Sequence, residues 1–165
     1  MLNACKRILF SLAVATTVTV PSPAVAAPRN IEQFDQQTWQ KFQTELPRPS
    51  VVVFSTTDCA HCPAVIEKLA AQIRQRKLQA PLIVVLMDEY LVAAQLKDPH
   101  YRNVNRLFAF SGQASALQHS ISPKWRGVTP YVALFPSAGE PRLVTGGPSE
   151  NDIVSWLEAG KNNLK

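Results

Sequence analysis

Two cysteines separated by two residues have the clearest potential for chemistry in this sequence. Cys59 and Cys62 enclose Ala60 and His61, directly after a hydrophobic segment. A thiolate is a strong nucleophile, and a second thiol within bonding reach can displace the product of its attack, so this spacing suits thiol-disulfide exchange through a mixed disulfide. The loop that the pair closes is too short to stabilise a fold well. We therefore expect the pair to be reactive rather than structural.

The sequence around Cys59 is predicted to favour its thiolate. Cys59 is expected at the start of a helix, whose unpaired backbone N–H groups and positive dipole end attract an anion. The imidazole of His61 adds to this effect, and a stabilised thiolate makes the pair an oxidant, because it stabilises the reduced protein. Asp58 disfavours the thiolate by like-charge repulsion. Because its side chain is expected to be exposed, its effect should be smaller than that of the helix N-terminus and His61. Cys62, about one helical turn later, is expected to be more buried and to remain a thiol until needed.

Other uses of the same cysteines are a structural disulfide, a metal site, or an inactive redox motif on a binding domain. Tetrahedral zinc needs about two further ligands, and His100 and His119 do not show metal-ligand spacing. Copper(I) accepts two thiolates. The alternative to an enzyme is therefore a non-enzymatic copper(I)-binding or protein-interaction module that uses Cys59 and Cys62. For the enzyme we expect no cofactor and no metal.

The segments that flank the cysteines predict an α/β domain. Continuous apolar runs at 51–54 and 82–87 predict two buried strands. Periodic apolar side chains between them predict a helix from about Cys59 to Lys77, with residues 56–58 available to cap it. Strand, helix and strand in this order imply a right-handed parallel crossover.

Weaker patterns predict the remaining elements. Residues 31–34 indicate an edge strand, a helix is expected from Asp35, and 131–135 and 142–145 predict an antiparallel pair of strands. Ser149 and Asp152 predict a capping box at the start of a terminal helix, whose apolar positions are Ile153, Trp156, Leu157 and Leu164. One or two helices are expected within 88–122, from the apolar residues Leu107, Phe110, Ala114, Leu117 and Ile121.

This order of elements, together with two separate motifs, resembles the thioredoxin fold. The motifs are Cys59-Ala60-His61-Cys62 after a hydrophobic strand and Gly127-Val128-Thr129-Pro130 before the strand 131–135. The resemblance covers roughly residues 30–165 and implies a central mixed sheet flanked by helices, with a helical insertion around 88–122. In that family the proline at the position of Pro130 is cis, lies against the Cys-x-x-Cys motif, and follows backbone that pairs with an extended substrate. The resemblance therefore implies that Thr129 and Pro130 bind the substrate.

The resemblance also implies an activity. Periplasmic disulfide oxidases and isomerases carry histidine at the place of His61, whereas reductive thioredoxins carry proline there. Val53 lies where reductive thioredoxins bury an aspartate that helps to deprotonate the second cysteine, and Asp58 replaces their tryptophan. These features imply a thiol-disulfide oxidoreductase with Cys59, Cys62 and His61 as its catalytic residues, oxidase- or isomerase-like rather than reductive. Its partners would be protein thiols or disulfides and a separate recycling protein.

The N-terminal segment predicts export. Lys6 and Arg7 precede a mostly apolar run, 8–20, that is too short to span a bilayer. Ala24-Val25-Ala26 then offers the small residues that a signal peptidase recognises. We predict a signal peptide at 1–26, a periplasmic or secreted protein, and no stable membrane insertion after cleavage.

The rest of the chain is the length of one domain. Residues 27–165 are predicted to form a single thioredoxin-like domain. Cys5 and two of the 17 basic residues would leave with the signal, so the formal charge would be 15 minus 12, or +3. The remaining basic residues are scattered, and no nucleic-acid partner is expected.

Overall fold

The computed structural model describes residues 28, 30–88, 94 and 97–159. The predicted signal peptide 1–26 and the last apolar position expected in the terminal helix, Leu164, lie outside these residues. Within the described part of the chain, none of the helices combines the length and the apolar composition that crossing a membrane would require.

A six-stranded mixed sheet forms the centre of the domain. Its strands in chain order are β1 Ile31–Phe34, β2 Ser50–Ser55, β3 Leu82–Leu86, β4 Arg106–Phe110, β5 Tyr131–Phe135 and β6 Arg142–Thr145. Their spatial order is β1-β4-β3-β2-β5-β6. The first four in space are parallel, whereas β5 is antiparallel to both β2 and β6. The predicted edge strand, parallel crossover and antiparallel C-terminal pair are therefore confirmed.

Helices cover both faces of the sheet. In chain order they are α1 Gln36–Glu45, α2 Cys62–Gln75, α3 Ala114–Ile121 and α4 Glu150–Glu158. Helices α2 and α4 contribute to one apolar cluster, and α1 and α3 contribute to the other. Successive side chains of a strand point to opposite faces, so Val53 packs in the first cluster and Phe54 in the second. This two-sided burial explains why β2 is apolar at consecutive positions.

Helix α2 begins later than predicted. Its first residue is Cys62 rather than Cys59, and no side chain caps its N-terminus. The prediction that residues 56–58 cap this helix is wrong, because the residue at its N-cap is His61. The backbone N–H and hydroxyl of Thr57 donate to the Asp88 carboxylate. Pro63 lies in the first turn, where its missing N–H costs little. The capping box predicted for α4 is present, formed by Ser149 and Asp152.

The stretch 88–122 was predicted only in part. The prediction of helices in this stretch is confirmed by α3 and by a short 3-10 helix, Pro99–Tyr101. The same prediction is wrong for Arg106–Phe110, which form β4 between β1 and β3. The apolar spacing that indicated one helical stripe runs across two elements, because Leu107 belongs to β4 and Leu117 to α3.

Candidate active site

The two cysteines of the motif are joined to each other. Cys59 and Cys62 form a disulfide, with their Cα atoms 5.4 Å apart. Cys62, the first residue of α2, is only 1% exposed, whereas Cys59 is partly exposed in the preceding turn. Ala60 and His61 are exposed. A nucleophile arriving from solvent therefore has readier access to Cys59 than to Cys62.

A short network of hydrogen bonds holds the turn that carries Cys59. The backbone N–H of Cys59 donates to the carbonyl of Thr56 at 3.3 Å, and the N–H of Cys62 donates to the carbonyl of Cys59 at 3.2 Å. Asp88 fixes the other side of the turn, where it accepts from the Thr57 hydroxyl at 2.7 Å. Asp88 can do so because β2 and β3 are parallel neighbours, so the residues that follow their carboxyl ends lie at the same edge of the sheet.

The loop before Pro130 lies beside this turn. Strand β5 is antiparallel to β2, so its first residue, Tyr131, pairs with Phe54 near the end of β2. The hydroxyl oxygens of Thr129 and Thr56 are 3.5 Å apart. The Thr129–Pro130 peptide bond is cis, and Pro130 is buried. The structure thus brings the two predicted motifs together at one edge of the sheet.

Trp125 supports the same loop from below the surface. Its indole N–H donates to the carbonyl of Val128 at 2.9 Å, and its ring stacks on Tyr131 with centroids 4.5 Å apart. Gly127 has a φ of +77°, and a Cβ at this position would come within 3.1 Å of the Gln118 side chain. These contacts leave the side chain of Val128 55% exposed. Among the described residues, none hydrogen-bonds to the backbone of Thr129.

A cleft of about 210 Å³ opens next to the disulfide. Cys59 and Cys62 line it together with three residues from the segment around the 3-10 helix, namely Asp98, His100 and Tyr101. His100 Nδ1 lies 2.7 Å from Asp98 Oδ1. Burial, followed by the charges of Asp98 and Asp88, raises the pKa of Tyr101 to about 12. The phenol is therefore neutral at physiological pH.

The sequence did not indicate that this segment reaches the cysteines. Nothing in the local sequence of Asp98, His100 or Tyr101 indicates a place beside the cysteines. Asp98 caps the 3-10 helix that Pro99 begins, and Asp-Pro is a recognisable turn signal. That signal locates a turn in the chain, but it does not say which loop the turn will contact.

The interior behind the motif is apolar. Val53 has no exposed surface and lies in the cluster that contains Ile66 of α2. Among the described residues, Asp152 is the one buried carboxylate, and it caps α4. Val53 therefore places an apolar side chain, not a carboxylate, in the interior behind the motif.

Solved structures with a similar fold are found at low sequence identity. A candidate thioredoxin from Neisseria meningitidis matches with a TM-score of 0.51 and 12% identity, over 70% of this chain and 76% of that one. A thioredoxin-like protein in its oxidised form matches with a TM-score of 0.50 and 12% identity, over 88% of this chain and 97% of that one. A secreted disulfide oxidoreductase from Mycobacterium tuberculosis matches with a TM-score of 0.47 and 17% identity, over 67% and 81%. No protein-family model and no curated protein matches the sequence.

Proposed function

The chain has a thioredoxin-like fold, as its sequence predicts, and on this premise we propose that the protein is a thiol-disulfide oxidoreductase that acts on protein thiols or disulfides. The observation that carries the proposal is the disulfide between a partly exposed Cys59 and a buried Cys62. A short-range disulfide at the surface adds little to stability. The same bond is well placed for attack by an incoming thiolate.

The unequal exposure of the cysteines divides their roles. Cys59 is the nucleophile of the reduced protein and the sulfur that a substrate attacks in the oxidised protein. Cys62 is the resolving residue, because its burial protects it from substrate while its sulfur stays within bonding distance of Cys59. Exchange then proceeds through a mixed disulfide between Cys59 and the substrate.

Thr129 and Pro130 form the proposed substrate-binding surface. The hydroxyl of Thr129 lies next to Thr56, at the start of the turn that carries Cys59. An extended peptide that paired with the backbone of Thr129 would present its own cysteine close to Cys59. The exposed side chain of Val128 offers such a peptide an apolar contact.

We propose an oxidase- or isomerase-like poise, supported by His61. This exposed histidine directly precedes α2, between the two cysteines. Its imidazole and the N-terminal end of the helix both favour a thiolate at Cys59, which stabilises the reduced form. The carboxylates of Asp58 and Asp98 line the same cleft and act in the opposite direction. A recycling partner completes the cycle.

Export is proposed from the N-terminal sequence. The pattern of residues 1–26 is that of a cleaved signal peptide. A protein exported in this way would act in the periplasm or outside the cell, where disulfides persist.

Equilibration of the metal-free protein with glutathione redox buffers tests the proposal. The full chain retains Cys5, so Cys5→Ser is included to ensure that only the motif reacts. A reduction potential of about −120 to −200 mV supports an oxidase or isomerase, whereas about −270 mV indicates a reductase. A pair that does not exchange with glutathione, or that has a potential well below about −300 mV, refutes the enzyme and leaves a structural disulfide.

A further inference from the structure

The cleft beside the disulfide contains a histidine and an aspartate whose arrangement suits proton transfer. His100 Nδ1 lies 2.7 Å from Asp98 Oδ1, and the backbone N–H of His100 donates to the same oxygen at 2.9 Å. A carboxylate can only accept hydrogen bonds, so the Nδ1 atom carries a proton and the Nε2 atom is the nitrogen that exchanges one. Asp98 therefore fixes both the tautomer and the orientation of the imidazole.

The chemistry of Cys62 requires such a group. Its thiol is 1% exposed, and burial disfavours a charged thiolate. Val53 leaves the interior without a carboxylate at its position in β2, and the buried Asp152 is occupied in capping α4. Cys62 and His100 line the same cleft, which offers a path for a proton between the imidazole and the Cys62 sulfur.

We propose that His100 is the proton-transfer residue for Cys62 and that Asp98 positions it, an inference that rests on the proposed oxidoreductase function. When the protein acts as a reductant, His100 takes the proton from Cys62. The Cys62 thiolate then attacks the Cys59 sulfur of the mixed disulfide. The Cys59–Cys62 bond forms, the bond from Cys59 to the substrate breaks, and the substrate sulfur leaves as a thiolate with the electron pair.

The reverse direction uses the same groups. A substrate thiolate attacks the Cys59 sulfur, the Cys59–Cys62 bond breaks, and Cys62 leaves as a thiolate that takes a proton from the imidazolium of His100. A second substrate thiolate then attacks the substrate sulfur of the mixed disulfide and displaces Cys59 as a thiolate. The substrate disulfide forms, and the protein gains the two electrons that the substrate thiols lose. The role of His100 is therefore independent of the direction in which the enzyme works.

Among the described residues that line the cleft, the charged and titratable groups around this pair are few. Asp98 and Tyr101 belong to the same segment as His100, and Asp58 comes from the turn before α2. Asp88, at the end of β3, acts on Tyr101. Tyr101 stays neutral because its pKa is about 12. On this wall of the cleft, the proposed proton-transfer group is therefore the imidazole of His100.

The test separates the two chemical steps in single-turnover reactions. Reduced protein carrying Cys5→Ser is mixed with oxidised glutathione, quenched with acid, and analysed by mass spectrometry for the glutathione adduct at Cys59 and for its resolution to the disulfide. For His100→Gln we expect adduct formation at the wild-type rate and resolution about 100-fold slower near neutral pH. The deficit should shrink as the pH is raised, because hydroxide can then take the proton from Cys62 in place of His100.

The controls exclude a structural explanation. His119→Gln, an exposed histidine on α3, should resolve the adduct at the wild-type rate. Asp98→Asn should give a smaller deficit with the same pH dependence. Wild-type resolution by His100→Gln at every pH would overturn the inference, and so would an equal loss in both steps together with a lower melting temperature. A wild-type protein that forms no adduct would instead refute the proposed function itself.

Discussion

The hydroxyl oxygens of Thr56 and Thr129 lie 3.5 Å apart, although 73 positions separate the two residues in the chain. Thr56 begins the turn that carries Cys59, and Thr129 precedes the cis Pro130. The contact exists because β5 runs antiparallel to β2, which places the start of one strand beside the end of the other. We therefore expect a substrate that reacts at Cys59 to pass close to Thr129.

Replacement of Thr129 should impair large substrates more than small ones. We expect Thr129→Lys to raise the KM for a disulfide-containing peptide about tenfold, because a long charged side chain would lie in the path of its backbone. Exchange with glutathione should stay within about twofold, since this small thiol needs no extended surface. Thr145→Lys, at an exposed position on β6, is the matched control. Equal effects on both substrates would argue against a peptide-binding role.

The two cysteine variants should behave differently. Cys62→Ser should accumulate mixed disulfides through Cys59, because the buried residue that resolves them is missing. Cys59→Ser should lose exchange altogether, since the remaining thiol is shielded from substrate. Non-reducing electrophoresis after incubation with scrambled ribonuclease A, whose disulfides the Cys59 thiolate can attack, measures the trapped species. Equal trapping by the two variants would contradict the proposed division of roles, and the double variant provides the background.

The residue between the cysteines should set the redox potential. His61→Pro removes the imidazole, so we expect a reduction potential lower by about 30 mV or more, equivalent to a tenfold change in the exchange equilibrium. Asp58→Asn should shift the potential upwards, because it removes a negative charge near Cys59. Equilibration with glutathione buffers measures both, and His119→Gln is the control. An unchanged potential in His61→Pro would remove histidine from the explanation of the poise.

The parts of the fold that follow from local pattern were predictable from the sequence. The consecutive apolar residues of β2 and β3 indicated central strands, and Ser149 with Asp152 indicated the start of α4. Each of these signals lies within about ten residues of the structure it specifies, and so it does not depend on the path of the rest of the chain.

The parts that depend on distant contacts were not predictable in the same way. Strand β4 has buried residues on both faces, so Leu107 and Phe110 show no alternation and their spacing mimics a helix. His100 lines the cleft beside the cysteines only because the chain returns past α2 before it enters β4. Thr57 was expected to cap α2, but α2 begins five residues later, and the Thr57 hydroxyl donates to Asp88, 31 residues away.

Stability at acidic pH should depend on Asp152. Hydrogen bonds from Ser149, and then the charge of Arg142, lower the pKa of Asp152 below its usual value. The folded protein therefore releases this proton more readily than the unfolded chain, so the stabilisation is present above about pH 4 and is lost as the pH falls through the lowered pKa.

Asp152→Ala tests this dependence by urea unfolding at several pH values. We expect the variant to lose about 1 kcal/mol of unfolding free energy at neutral pH, because the capping box is broken. The difference in unfolding free energy between the wild type and Asp152→Ala should become smaller at acidic pH. Glu150→Gln removes an exposed ion pair with Lys68 from the same helix and should change the free energy by less than about 0.5 kcal/mol. A difference for Asp152→Ala that does not vary with pH would contradict the role of its charge.

Tyr101 should make the protein less stable at alkaline pH. Burial and the carboxylates of Asp98 and Asp88 raise its pKa to about 12, whereas a tyrosine in the unfolded chain ionises near about pH 10. The stabilisation from its neutral form is therefore complete below about pH 10 and is lost as the pH rises towards 12.

We expect Tyr101→Phe to eliminate the tyrosinate absorbance change near pH 12 and to flatten the alkaline loss of stability. Tyr131→Phe, on the opposite face of the sheet, should retain that absorbance change. Asp98→Asn should move it to lower pH, and an unmoved transition would show that the cleft carboxylate does not act on the phenol.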